Sequence, residues 1–336
     1  MIKYLGSKRL LLERIEGLVR GASGARTVLD LFSGTARVGH ALKRAGYRVL
    51  ANDHNAYAHV LARCYVQADA ARWRPAAERL VAELGRLPGD DGWFTQTYCR
   101  DSRYFQPKNG ARIESIRAEI ARKALEPDLE AILIVALLEA ADRVDSTTGV
   151  QMAYLKAWAP RSSNDLELRV PEVLPGRGEA HRLEAYEAAR SLEADVVYVD
   201  PPYNQHSYLG NYHVWETLAL WDRPEVYGVA RKRTDCRLRK SAFNSRPGFA
   251  AAMRELLAGI RARTLILSFN DEGYLGRAEL ERMLGERGEV RVLEHDYRRY
   301  VGAKIGIYNP QGKKVGKVGR LRNVEYLFVV DANPRP

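Results

Sequence analysis

Short apolar runs that end on a glycine turn or an acid recur towards both ends of the chain, and long stretches of helical periodicity lie between them. Arg26–Phe32 (RTVLDLF) has the apolar centre of a strand buried on both faces, and a glycine turn follows it. Ala36–Ala45 predicts a helix stopped by Gly46. Tyr47–Ala51 (YRVLA) predicts a second strand ending on Asn52-Asp53, with alanine-rich helical sequence from His54. Strand, glycine loop, helix, strand and acid, in that order, open a doubly wound α/β sheet. Asp195–Val199 and Thr264–Phe269 predict further core strands, and Val290–Glu294 with Val324–Val330 predicts a terminal pair.

From about residue 69 to 180 the period becomes helical: Arg74–Leu87, Ala111–Leu125 and Leu129–Ala141 are separated by Gly-, Pro- and Asp-rich loops. A crossover between parallel strands needs only a few tens of residues, so this segment reads as an insertion. The expected organisation is an α/β unit of residues 1–68 and 181–336 with a separate helical lobe of residues 69–180.

Composition narrows the class. With 46% hydrophobic and 28% charged residues among 336, the chain can bury a sizeable core and reads as soluble. The longest apolar run, Ala131–Leu138, is far too short to span a bilayer, and the N-terminus lacks the apolar stretch of a signal peptide. Three scattered cysteines and seven dispersed histidines give neither a disulfide framework nor a metal-ligand pattern. The expectation is a cytoplasmic protein without a structural metal and without a membrane partner.

A net charge of +11 favours a polyanionic partner. Two runs concentrate it. Arg231–Lys240 (RKRTDCRLRK) holds six basic residues and one acid, and Tyr297–Val324 holds eight basic residues and no acid. Surface charges ordinarily mix signs, so phosphate contact is expected of both runs. The candidates are Arg231, Lys232 and Arg233 in the first run, and Arg298, Arg299, Lys304, Lys313, Lys314 and Lys317 in the second.

Two constellations carry chemistry. In Asp30–Gly39 (DLFSGTARVG), a glycine turn after a strand lets backbone approach a ligand where the next helix begins. Asp53 ends the next strand about twenty residues on, where a carboxylate can accept from ribose hydroxyls. Together these suggest an adenosine-containing cofactor; a nicotinamide dinucleotide also fits them. The second constellation, Asp200-Pro201-Pro202-Tyr203, ends a later strand at the edge where open α/β sheets bind ligands. The Asp200 carboxylate and the Pro201 carbonyl are adjacent acceptors that can grip both hydrogens of an exocyclic amino group. Tyr203 offers a face on which a planar base can stack. Holding both hydrogens favours a pyramidal nitrogen whose lone pair can meet an electrophile such as a sulfonium methyl.

With these residues in place the chain resembles the D12 class of DNA adenine-N6 methyltransferases, with motifs in the alpha-group order. Lys3–Lys8 (KYLGSK) is similar to the family's N-terminal cofactor motif, Asp30–Gly34 to its cofactor loop and Asp200–Tyr203 to its DPPY. Blocks at Asn109–Ile120, Ser146–Trp158, Asn211–Gly228 and Ile266–Gly273 match it too. The resemblance implies a class I S-adenosylmethionine-dependent fold, a Rossmann-like doubly wound sheet with a helical target-recognition insertion. It implies that S-adenosylmethionine is the cofactor, with Tyr4 and Lys8 at its methionine end and Asp30 accepting from its amino group. Phe32, Gly34 and Thr35 would line the same pocket, Asp53 would hold the ribose, and Glu184 would lie near the cofactor adenine. Asp200, Pro201, Pro202 and Tyr203 would bind a flipped adenine in duplex DNA. A cognate restriction endonuclease acting on the same site is the further partner that this resemblance suggests. One position departs from the family: alanine stands at Ala36 where a second glycine is usual, which a negative φ there would accommodate.

The same acceptor pair would serve an RNA methyltransferase or one acting on cytosine N4, and a binding protein with a vestigial cofactor fold is the nonenzymatic alternative. His206 and His213 are expected to pack or order a loop rather than act in acid–base catalysis. Asn204 and Asn270 suit turn roles as well as site roles.

Overall fold

The computed structural model of the chain describes residues 1–298 and 322–332. In chain order the helices are α1 (Leu12–Gly21), α2 (Arg37–Arg44), α3 (Ala56–Ala62), α4 (Ala70–Leu84), α5 (Trp93–Thr95), α6 (Pro107–Arg122), α7 (Pro127–Val144), α8 (Ala185–Ser191), α9 (Tyr208–Asn211), α10 (His213–Leu220), α11 (Phe249–Gly259) and α12 (Arg277–Gly285). The strands are β1 (Thr27–Asp30), β2 (Arg48–Asn52), β3 (Glu179–His181), β4 (Val196–Val199), the short pair β5 (Val226–Tyr227) and β6 (Lys232–Arg233), then β7 (Thr264–Asn270), β8 (Gly288–Arg298) and β9 (Arg322–Ala332).

Seven strands form one sheet in the order β3-β2-β1-β4-β7-β9-β8. The first five are parallel; β9 runs antiparallel between β7 and β8. The central strands read as unbroken apolar runs because helices cover both faces. Side chains alternate between those faces. Val28, Val49, Val196, Tyr198 and Ile266 join one core cluster, whereas Leu29, Leu50, Val197, Leu265 and Leu267 join the other. The terminal pair runs well beyond its sequence-predicted limits, and β3, only three residues long, gave no apolar signal in the sequence.

Residues 70–144 are mainly helical, as the periodicity predicts; residues 145–178 are irregular apart from a single short turn of helix at Pro160–Ser163, and the segment shares its core with the sheet. Leu80, Ile113, Ile116 and the apolar centre of α7, Ile132–Val135 with Leu137 and Leu138, belong to the same cluster as Val28 and Val196. Prolines at the first turns of α6 and α7 supply the fixed φ that starts a helix without losing an intrahelical bond.

β1 and β4 are neighbours, paired Asp30 to Tyr198. From β1 the chain first builds the sheet outward through β2 and β3. It then returns to β4 and builds the opposite side. The carboxyl ends of β1 and β4 therefore flank the point where strand order reverses, where open sheets bind ligands. Among the described residues no helix is long and apolar enough to cross a membrane.

Candidate active site

A cavity of about 310 Å³ opens at that reversal point, and Tyr4, Lys8, Asp30, Phe32, Gly34, Thr35, Asp53, Glu184, Asp200 and Pro202 all line it. Residues from five separate stretches of sequence thus line one cavity. Pro201 and Tyr203 do not. Pro201 is buried, and the Tyr203 ring lies beside the cavity against Phe269, with ring centres 5.2 Å apart.

Asp30 ends β1 almost fully buried, at 1% exposure. Its Oδ2 accepts from the Gly39 backbone N–H at 3.1 Å, while its Oδ1 has no hydrogen-bond partner. Burial pushes this carboxyl up to about 7; the Gly39 N–H acts against the shift, and the carboxylates of Asp200 and Asp53 add to it. A buried acid with one unsatisfied oxygen on a cavity wall is a ready partner for a cation. Gly39 cannot be larger, because a Cβ there would stand 2.9 Å from Val66 Cγ2.

Asp53, just past β2, accepts from the backbone N–H groups of Gly34 (3.0 Å) and Asn55 (2.9 Å), which ties the glycine loop to the end of the strand. Burial raises its carboxyl despite those two bonds. Asn52, which carried no signal in the sequence, does a related job. Its amide donates to the carbonyls of Leu31 and Leu183 and its Oδ1 accepts from Leu183 N–H, so one buried side chain ties the end of β2 to the segments at Leu31 and Leu183. Glu184 is exposed at the rim and pairs with His54 Nδ1 at 2.9 Å.

The negative φ that would accommodate alanine at position 36 is not what the loop adopts. The φ of Ala36 is +57°, in the left-handed region. The loop requires this: Ala36 N–H donates to Ser33 O at 2.7 Å, and Ala36 O then accepts from His40 N–H at 2.8 Å to start α2. The strain, about 1–2 kcal/mol for an L-residue, is held in the loop, and Ala36 does not line the cavity.

At the other side of the cavity Lys8 is buried between two carboxylates, with Nζ 3.0 Å from Asp200 Oδ1 and 2.5 Å from Glu325 Oε1. Burial alone would lower the Lys8 ammonium, but Asp200 and Glu325 reverse that and raise it. Asp200 is pushed up to about 6 by burial, with Lys8 lowering it and Glu325 raising it. Glu325, on β9, was not foreseen. Tyr4 stacks against both Tyr208 and Tyr212, with ring centres 5.2 and 4.6 Å away, and its hydroxyl meets Tyr57 at 3.1 Å.

The first basic run needs correction. Arg233 is not a surface cation: it is 3% exposed, and its guanidinium forks onto Asp222 at 2.7 Å and onto Asp235 at 3.1 Å. Arg231 pairs with Asp101, Arg237 covers the Tyr227 ring and Arg239 reaches buried Glu216. Acids pair with three of the six basic residues of this run, and of those acids Asp101, Glu216 and Asp222 lie outside the run, where a count within it could not register them. Lys232 is half-buried on β6. In the second run, the side chain of Arg298 and all of Arg299, Lys304, Lys313, Lys314 and Lys317 lie outside the described residues.

His213 is fully buried, its Nε2 3.0 Å from Gln151 O, and burial lowers it to about 3, so it stays neutral in the core. Asn204 and Asn270 each accept from a backbone N–H two residues on, an ordinary turn role. Among the described residues no cluster of His, Cys, Asp and Glu has the arrangement of a metal site.

A mainly parallel seven-stranded sheet with a cavity at its reversal point, walled by acids at the ends of successive strands, defines a class I methyltransferase fold. Residues 4–251 match the D12 class N6 adenine-specific DNA methyltransferases, and the chain belongs to that family. It is 30% identical to the modification methylase StsI of Streptococcus sanguinis, over 99% of this chain and 52% of that protein. It is 28% identical to the type II methyltransferase M.NlaIII of Neisseria lactamica, over 98% of this chain and 99% of that protein. It is also 28% identical to the type II methyltransferase M.FokI of Planomicrobium okeanokoites, over 89% of this chain and 50% of that protein. The chain thus spans about half the length of two of these relatives and nearly all of the third.

Proposed function

We propose that this chain transfers a methyl group from S-adenosylmethionine to N6 of adenine at a specific site in duplex DNA, with the target base flipped out of the helix. The observation that carries the reading is the unpartnered buried Oδ1 of Asp30 on a cavity that also holds Asp200. The residues present fit the cofactor. Asp30 would take its ammonium, Asp53 its ribose hydroxyls, and Glu184 would stand near its adenine. When bound, the cofactor supplies a methyl group on a positively charged sulfur.

The chain's own part is positioning and electrostatics. Asp200 and the Pro201 carbonyl would accept from the two hydrogens of N6 and aim its lone pair at the methyl group. The N6 lone pair would form the new bond to the methyl group as the carbon–sulfur bond breaks, and the amine would then release one proton. Tyr203, turned towards Phe269, would stack on the base. The helical segment 69–180 would read the target sequence, and basic side chains would contact phosphates. A restriction endonuclease sharing the site is the partner that the names of the relatives suggest.

Labelled methyl transfer from S-adenosylmethionine, measured on duplex DNA and on RNA, tests this. Incorporation at adenine N6 of duplex DNA is expected. A chain that binds the cofactor yet labels only RNA or cytosine would refute it. Asp200→Ala should abolish transfer while leaving cofactor affinity within severalfold of wild type.

A further inference from the structure

We propose that Glu325 is a positioning residue for methyl transfer: through the Lys8 ammonium it holds Asp200 in place as an acceptor while sparing that carboxylate from full neutralisation. This rests on the reading of Asp200 as a hydrogen-bond acceptor for the target amine.

Glu325 lies on β9, the antiparallel strand laid against β7, and its register partner is Asn270 at the carboxyl end of β7. An antiparallel strand thereby delivers an acid to the ligand-binding edge of a parallel sheet. The side chain is 4% exposed. A carboxylate so buried is costly unless paired and hydrogen-bonded. Here it is both: the same Oε1 accepts from Lys8 Nζ at 2.5 Å and from Ser268 Oγ at 2.6 Å. Ser268 on β7 therefore fixes Glu325, Glu325 fixes Lys8, and Lys8 fixes Asp200 at 3.0 Å.

Charge explains why two acids share one lysine. A lone Lys8–Asp200 pair would be a neutral unit, and its carboxylate would be a weaker acceptor for an incoming amine. With Glu325 on the same ammonium, the buried trio carries one net negative charge, and Asp200 keeps more of its acceptor strength. Lys8 sits in the first ten residues and Glu325 on the last strand, beyond the stretch that matches the family. The groups facing Asp200 are Lys8 from the N-terminal segment, Glu325 from β9, Asp30 from β1, Tyr198 from β4, and Tyr203 and Tyr208 from the segment after β4.

The test is single-turnover methyl transfer to duplex DNA by the full chain carrying Glu325→Gln, with cofactor affinity and thermal melting measured alongside. We expect a rate lower by on the order of tenfold to a hundredfold, with cofactor Kd within twofold of wild type. The acid limb of the rate should move to lower pH, because a charge that raises Asp200 has been removed. In a Lys8→Met background, adding Glu325→Gln should lower the rate no further, since the acid acts only through the lysine. A wild-type rate and acid limb for Glu325→Gln would overturn the proposal. So would a loss confined to cofactor binding, or a loss that multiplies with that of Lys8→Met. If Glu325→Gln fails to fold, Ser268→Ala loosens the same carboxylate: a severalfold lower rate supports the proposal and an unchanged rate overturns it. Transfer retained by Asp200→Ala would remove the reading of Asp200, and this proposal with it; loss in Asp200→Ala beside a wild-type Glu325→Gln would remove only the role of Glu325.

Discussion

Asp30 is asked to be two things at once: an ionised partner for a cationic ligand, and a carboxyl buried in the fold. Its shift from the ordinary 3.8 to about 7 spans about three units, which is worth roughly 4 kcal/mol against the ionised form. The sign follows from linkage. A carboxyl raised in the folded state destabilises the fold when ionised. That cost grows as pH climbs from about 4 to about 7 and is constant above. A ligand ammonium needs the carboxylate, so affinity for S-adenosylmethionine should fall as pH drops below 7, by roughly twentyfold between pH 7.5 and 5.5. Asp30→Asn separates the two effects. Its amide oxygen can still accept from Gly39 N–H, but the charge is gone. At pH 8 the unliganded variant should melt higher, by up to a few kcal/mol of stability, and bind cofactor at least about a hundredfold more weakly. Its residual affinity should no longer depend on pH across that window. Titration calorimetry from pH 5.5 to 8 and scanning calorimetry of both unliganded chains provide the numbers. A flat wild-type affinity profile, or a lower melting temperature for Asp30→Asn at pH 8, would refute the reasoning.

Arg233→Ala should destabilise by about 1–3 kcal/mol, because it removes a buried guanidinium and its charged hydrogen bonds while Asp222 and Asp235 stay partly open to water; its melting temperature drops, and an unchanged one would show that the pairing contributes nothing. Lys232→Ala should instead leave melting intact, weaken DNA binding and reduce the salt slope of that binding by about one, as read by anisotropy titrations in rising salt. Gly39→Ala should cost about 1–3 kcal/mol in chemical denaturation, since the new Cβ meets Val66 and Val49 and forces α2 off the sheet. For Ala36→Gly, relief of about 1–2 kcal/mol of left-handed strain is offset by about 0.8 for a buried methyl and about 0.5–1 for backbone freedom. Denaturation midpoints within about 1 kcal/mol of wild type are therefore expected, and a larger loss would count against the strain account.

The sequence alone determined the central strands, the acids at their ends and the turn after β4. Those features are local. A strand buried on both faces must be apolar along its length, and a carboxylate at its end or a pair of prolines after it is visible within ten residues. Asp30, Asp53 and Asp200 could be chosen on that basis because a parallel sheet brings the carboxyl ends of its strands to one edge whatever lies between them. Tertiary structure decided what those acids touch. Lys8 meets Glu325 across 317 positions and Arg231 meets the distant Asp101, and a count of charges could not show that the Arg233 guanidinium is buried. The φ of Ala36 follows from closure of the loop between β1 and α2, and no residue type announces that closure. β3 is too short to show a period, and the helical segment joins the sheet's core through contacts that periodicity cannot assign to a partner. Patterning depends on whether a position faces oil or water, which each residue type expresses for itself. The pairing of buried charges depends on which two chain segments arrive at one point, and only the folded chain sets that distance.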